Sequence, residues 1–426
     1  MERSDVRYQT YVQILKEELV PAMGCTEPIA LAYCAAKAKE VLGALPDRCE
    51  VAVSGNIVKN VKSVIVPNTG GLKGIAAAVA AGVTVGDAGR VLEVIAGVTE
   101  DQKPQIKEYM DHTEIQISPL ETDEILDMVV TLYKGDSWSR VRIANYHTNI
   151  VLIEKDGEVL YQIGVKAEKA ADMADRSLLN VKDIVEFAQT ADLDDTREII
   201  ERQITYNSAI SAEGLKNNWG ANVGSVLLES FGNDVRTRAR AAAAAGSDAR
   251  MSGCEMPVII NSGSGNQGMT ASLPVIEYAK ELGASRDELH RALLLSNLIT
   301  IHQKTGIGRL SAYCGAVSAG CGAGCGIAFL LGGDYNCIAH TLVNSLAIVS
   351  GIICDGAKPS CAGKIAAAVD CGILGYQMYV NGQQFSGGDG IISKGVENTI
   401  LNVGRLSRDG MRETDKEIIR IMTDMC

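Results

Sequence analysis

From Arg7 to Ala22 apolar and polar residues follow a helical period, and the pattern stops at Met23-Gly24-Cys25. An alanine-rich run from Pro28 to about Leu42 predicts a second helix, so two helices flank a tight turn that carries a cysteine. From Glu50 to Val66 the alternation is that of strands and predicts a β-hairpin around Gly55-Asn56; Asn68-Thr69-Gly70-Gly71 then opens a helix through Ala81. Between Asp87 and Gln162 the character changes. Strand-like runs (Glu114 to Ile117, Met128 to Tyr133, Ser139 to Asn145, Asn149 to Glu154) mix with a helical stretch from Glu100 to Asp111. After Lys166 the helical period returns, clearest over Val181 to Thr190 and Asp195 to Asn207, and continues nearly to the end. The expected fold class is α+β: a mainly helical, discontinuous domain built from residues 1–86 and 167–426, with a small α+β insertion domain at 87–166.

A length of 426 residues suits two structural units, each able to bury a core. Aromatic residues make up only 4%, and Ala and Gly fill their place, which points to closely approaching helices. The formal charge of −12 repels phosphate backbones and anionic lipid, and the basic cluster Arg236 to Arg240 is short and interrupted, so neither nucleic acid nor a membrane is an expected partner. The N-terminal MERSDVRYQT lacks the apolar run of a signal peptide, which predicts a cytoplasmic chain. Leu310 to Gly333 is uncharged and long enough to span a bilayer, but its seven glycines against six Leu, Ile, Val or Phe favour a buried helix in a water-soluble core.

Twelve cysteines in such a compartment do not make a disulfide framework. Cys34, Cys49, Cys254, Cys337 and Cys371 sit in apolar or mixed contexts and read as small packing residues. Cys25, in Gly24-Cys25-Thr26-Glu27-Pro28, falls at a helix start, with Thr26 or Glu27 available as a cap. The local positive potential there is expected to lower the thiol pKa and free a thiolate to act as base, nucleophile or ligand. Cys354 and Cys361 enclose Asp355-Gly356-Ala357-Lys358-Pro359-Ser360, a turn between two helices, and Cys314 lies at a break after the helical run Asp287 to Gln303. Three cysteines at helix breaks can converge, and soft thiolates select zinc or iron-sulfur clusters. No CxxC pair is present, so spacing alone leaves a packing role open beside a metal role.

Four segments change this picture: Met23-Gly24-Cys25-Thr26-Glu27-Pro28, Ser54-Gly55-Asn56-Ile57-Val58-Lys59-Asn60, Gly263-Ser264-Gly265-Asn266-Gln267-Gly268, and the loop from Cys354 to Cys361. Together, in this order along essentially the whole chain, they resemble the L-cysteine desulfidase family, which is related to the α-chain of bacterial iron-sulfur L-serine dehydratases. The resemblance implies an oxygen-labile 4Fe-4S cluster, one per subunit, held by Cys314, Cys354 and Cys361 with one iron open, and Cys25 as proton acceptor. It implies that L-cysteine and water give hydrogen sulfide, ammonia and pyruvate, and that the helical domain is the catalytic one. L-serine dehydratase, which differs only in the leaving group, is the nearest alternative. A non-catalytic amino-acid-binding protein is a second.

Gly263, Gly265 and Gly268 satisfy GxGxxG, but the acidic residue that would confirm a dinucleotide site is missing. Ser264, Gly265 and Asn266 beside a helix start suit a small carboxylate better. Asn56, Asn60, Asn68 and Thr69 lie at turn-forming polar positions and are expected to contact an amino-acid substrate, a role the resemblance supports, although hairpin backbone makes the same demand. Lys304 has no phosphate cup beside it that would make it a pyridoxal phosphate lysine, and His112, His147, His290 and His340 read as ordinary surface or core residues. Cys426, the last residue, is a candidate cap for the open iron. Association into a homo-oligomer is compatible with this sequence.

Overall fold

The computed structural model describes residues 1–165, 173–308 and 310–424. After α1 (Val6–Glu18) comes a short strand, β1 (Pro21–Met23), and then α2 (Thr26–Leu42). β2 (Arg48–Val53) alternates buried and half-buried positions and lies inside a six-stranded sheet. Its neighbours are distant in sequence: β3 (Glu114–Pro119) runs parallel on one side and β4 (Asp127–Lys134) antiparallel on the other. β5 (Ser137–Ala144), β6 (Ile150–Lys155) and β7 (Glu158–Gln162) extend the sheet antiparallel, in the order β3-β2-β4-β5-β6-β7.

The hairpin expected over Glu50 to Val66 does not form. Its second half is α3 (Gly55–Val61), in which Ile57 and Val61 lie one helical turn apart and are both buried. Neither Gly55 nor Asn56 takes the positive φ that a two-residue hairpin turn requires. The next helix starts later than predicted, at Gly74, because Asn68, Gly70, Gly71 and Gly74 all adopt positive φ, and such a run cannot be helical. That helix, α4 (Gly74–Val85), packs on α2, which covers β4 and β5. α5 (Lys103–His112) packs on α4. The buried side chains of residues 29–83 therefore share one cluster with the sheet, and the core around the sheet draws on chain from both sides of residue 87.

The side chains of Tyr8 to Ala22 instead join a larger, helical cluster. It is built from α6 (Val181–Thr190), α7 (Arg197–Lys216), α9 (Val235–Met251), α10 (Gly265–Leu282), α11 (Arg286–Ile307), α12 (Gly315–Leu330), α13 (Tyr335–Val349), α14 (Cys361–Val380) and α15 (Val396–Arg405), whereas α8 (Val223–Phe231) joins a small separate cluster with α9 and α14. α16 (Arg412–Asp424) returns to pack on α3. α12 lies at the centre, against α10, α11, α13 and α14. Its glycines make that approach possible: a Cβ on Gly320 would stand 2.5 Å from the Ala368 backbone, and one on Gly324 would stand 2.5 Å from the Gly372 oxygen. The uncharged stretch is thus a core helix, and among the described residues no helix is long and apolar enough to cross a membrane. The fold is α+β and mainly helical, as the hydrophobic periodicity predicted, with the six-stranded sheet and a two-stranded pairing. β1 pairs antiparallel with β8 (Pro257–Ile259), tying the turn at Cys25 to the helical body.

Candidate active site

Four helices begin at one cavity. Cys25 is the N-cap of α2, Ser264 of α10 and Cys314 of α12, and Cys361 is the first residue of α14; none of these starts is capped by a side chain. Their free amides leave positive potential in a cavity of about 100 Å³, which is lined by Cys25, Glu27, Asn60, His147, Arg250, Ser264, Asn266, Gln267, Lys304, Cys314, Cys354 and Cys361, among others. Two of the cysteines are brought together by a short ladder. Tyr313 bridges Ile353, the Cys314 amide donates to the Ile352 oxygen at 3.1 Å, and the Cys354 amide donates to the Ala312 oxygen at 2.6 Å. Cys314 and Cys354 thus fall on one face of the ladder. Gly356, at φ +93°, lets the loop to Cys361 settle on α3: a Cβ there would be 2.2 Å from the Lys59 oxygen.

Of the predicted site residues, the structure gathers Cys25, Asn60, Ser264, Asn266, Cys314, Cys354 and Cys361 at this cavity. It does not bring Asn56, Asn68 or Thr69 there. Asn56 donates to Asp415 on α16 at 2.9 Å. Asn68 donates to the Ile95 oxygen at 2.8 Å and ties the turn to a distant segment, and the Thr69 hydroxyl donates to the Val66 oxygen at 2.6 Å and holds the turn itself. Gly265 stands behind the wall, where a Cβ would lie 2.4 Å from Arg250 Nε. In the GxGxxG loop Gly263 has φ +80° and Gly268 abuts the Ile259 oxygen, so its glycines serve a tight turn and a close helix-strand approach. Cys426 lies outside the described residues.

The expected thiolate at Cys25 is not what the geometry favours. Burial pushes this thiol well above its ordinary value, and the Glu27 carboxylate beside it adds to the shift. The Sγ–H donates to Glu27 Oε2 at 3.0 Å, and His147 Nε2 lies 3.8 Å from the other oxygen. Burial opposes the charge on Glu27, but His147 and the thiol hydrogen bond outweigh it and hold the carboxyl below its usual range. The arrangement is a protonated thiol donating its hydrogen bond to an ionised carboxylate, not a free thiolate. Glu27 reads in sequence as a helix cap and His147 as an ordinary residue; His147 comes from the turn between β5 and β6, at a distance in sequence that no local pattern reveals. Arg250 and Gln267 also escape sequence reasoning, although an arginine closing the alanine run of α9 is a signal in itself.

Burial, followed by the charges of its neighbours Cys354 and Cys361, raises Cys314 to about 12. Cys361 is raised by burial, with Cys354 adding to the shift. Protonated thiols that resist ionisation one beside another are the state expected of a ligand set before a metal displaces the protons. Among the described residues no three His, Cys, Asp or Glu come close enough to hold a single metal ion. A four-iron cluster makes a different demand, since each thiolate takes a different iron and the sulfurs stand apart. In donor chemistry, three thiols on the wall of one cavity with open helix N-termini around them fit such a group.

The family described as serine dehydratase alpha chain matches residues 89–420. Full-length relatives are similar as well. A UPF0597 protein of Desulfitobacterium hafniense (strain Y51) is 62% identical over 426 residues, covering 100% of this chain and 99% of its own length. One from Lachnoclostridium phytofermentans is 52% identical over 415 residues, 97% of this chain and 99% of the relative. One from Treponema denticola is 46% identical over 422 residues, 98% of each.

Proposed function

The chain belongs to the serine dehydratase alpha chain family, and from that premise of a lyase-type enzyme we propose that it is an iron-sulfur L-cysteine desulfidase. The observation that carries this reading is the presence of Cys25, paired with Glu27, in one cavity with Cys314, Cys354 and Cys361. In the proposal those three cysteines hold a 4Fe-4S cluster, which when bound supplies an open iron as a soft Lewis acid for the leaving sulfur.

The remaining steps belong to the chain's own residues. Glu27 takes the Cys25 proton, and the resulting thiolate removes the proton from the substrate's α-carbon. His147, behind Glu27, holds the carboxylate in place for that transfer. Asn60, Ser264 and Asn266 bind and orient the amino acid against the free amides of α10. Loss of the α-proton and of hydrosulfide leaves an aminoacrylate, which tautomerises to an imine and hydrolyses to pyruvate and ammonia.

Elimination of water from L-serine is the second reading, favoured by the description of the family that matches. Anaerobically reconstituted protein should contain about four irons per chain and release sulfide from L-cysteine faster than it forms pyruvate from L-serine. The reverse ratio would make serine the substrate. Protein that stays colourless and inactive after reconstitution would leave only a non-catalytic amino-acid-binding role.

A further inference from the structure

We propose that Arg250 is the anchor for the substrate's α-carboxylate and thereby restricts the cavity to α-amino acids, an inference that rests on the amino-acid lyase reading above. Arg250 is the penultimate residue of α9 and is 3% exposed. No carboxylate among the described residues lies within ion-pair distance of it. Nη1 donates to Asn266 Oδ1 at 3.1 Å, and Nε has no acceptor at all. Burial of a guanidinium without a counter-ion is costly, and fold stability gives no return for it. The nearest candidate counter-charge, Glu27, is already engaged by the Cys25 thiol and His147. A permanent cation facing a cavity in this state is matched by an anion that arrives with the substrate.

The surroundings are shaped for such an anion. The guanidinium crosses the start of α10 over Gly265, whose missing Cβ provides the room. Ser264 leaves the first amides of that helix uncapped, so a carboxylate placed there meets the arginine and the helix N-terminus together. Gln267 Oε1, also on the cavity wall, is buried without a donor and suits the substrate's ammonium group. Cys25 and Arg250 line the same cavity, so a carboxylate held by the arginine leaves the adjoining α-carbon in the space that Cys25 also faces.

The test is calorimetric binding to the anaerobically reconstituted holoprotein. L-alanine serves as a ligand with no group to eliminate, and L-alaninamide as the same ligand with its carboxylate neutralised. The wild type should bind L-alanine about 100-fold more tightly than the amide. Arg250→Gln should lose about that factor for L-alanine while leaving the amide unchanged, and Arg250→Lys should recover part of it. Equal affinities of the wild type for the two ligands would overturn the proposal, and this arm needs no variant to fold. An equal loss of both ligands in Arg250→Gln, the mark of a merely structural role, or no loss at all, would overturn it too. A wild type that binds L-alanine through Arg250 but releases no sulfide or pyruvate would sink the lyase reading and leave the anchor standing; active enzyme indifferent to Arg250→Gln would do the opposite.

Discussion

Cys25 shows how a neighbour two residues away decides what a side chain can do. A helix start favours the thiolate, but burial and the Glu27 charge act the other way and win, so the proton must have a place to go. Glu27→Gln is therefore expected to lower kcat by about 100-fold or more with iron content unchanged; an unaltered kcat would remove Glu27 from the proton path. Asp248 offers a pH-dependent case. It is fully buried, Oδ2 accepts from the Gly224 amide at 3.1 Å, and Oδ1 has no partner. Burial raises its carboxyl to about 6. The folded chain thus holds this proton more tightly than the unfolded one, so the stability due to it is complete below about pH 4 and lost as pH rises through about 6. Asp248→Asn should be more stable than the wild type near neutral pH by up to roughly 3 kcal/mol, with the difference shrinking in urea titrations at lower pH. Residue type made sulfur chemistry plausible at Cys25, Cys314, Cys354 and Cys361 and the family resemblance singled them out, whereas Asn68 and Thr69 carry the same polar, turn-forming signature as a substrate contact and donate instead to the backbone oxygens of Ile95 and Val66.

Among the elements, α12 and α14 meet so closely that glycine is required on both sides of the contact. Gly324→Ala would drive a methyl into the Gly372 backbone and is expected to cost roughly 3 kcal/mol. Gly363→Ala, on α14 but exposed and with nothing within 4 Å of its Cβ, should instead gain roughly 0.5–1 kcal/mol from helix propensity. Chemical denaturation of the two variants separates packing from propensity, and equal effects would contradict the close approach. At the opposite side of the loop that carries Cys354 and Cys361, α16 is clamped to α3 through Asp415, which pairs with the buried Lys59 and accepts from Asn56. Asp415→Asn leaves that ammonium without its counter-charge and should cost about 3 kcal/mol, seen as a lowered urea midpoint.

On the scale of the whole molecule, the cavity is a meeting point. α2 and the turn bearing His147 belong with the sheet, while α9, α10, α12 and α14 belong to the helical body. A cluster held as proposed by Cys314 and Cys361 at the starts of α12 and α14 and by Cys354 on the loop between α13 and α14 would favour the folded chain over the unfolded one. Removing iron with a chelator is therefore expected to lower the thermal midpoint, and Cys354→Ser should abolish the difference between loaded and stripped protein. The sequence by itself determined the helix-rich α+β class, most helix and strand positions, and the thiols that make metal chemistry plausible, because periodicity, turn residues and donor type are local properties. Only the tertiary structure decided that β2 pairs with strands more than sixty residues away, that residues 55–61 coil into a helix, that His147 and Arg250 face Cys25, and that the Cys25 proton rests against Glu27. Strand partners, burial and the charge around a buried group are set by chain segments that no local pattern brings together.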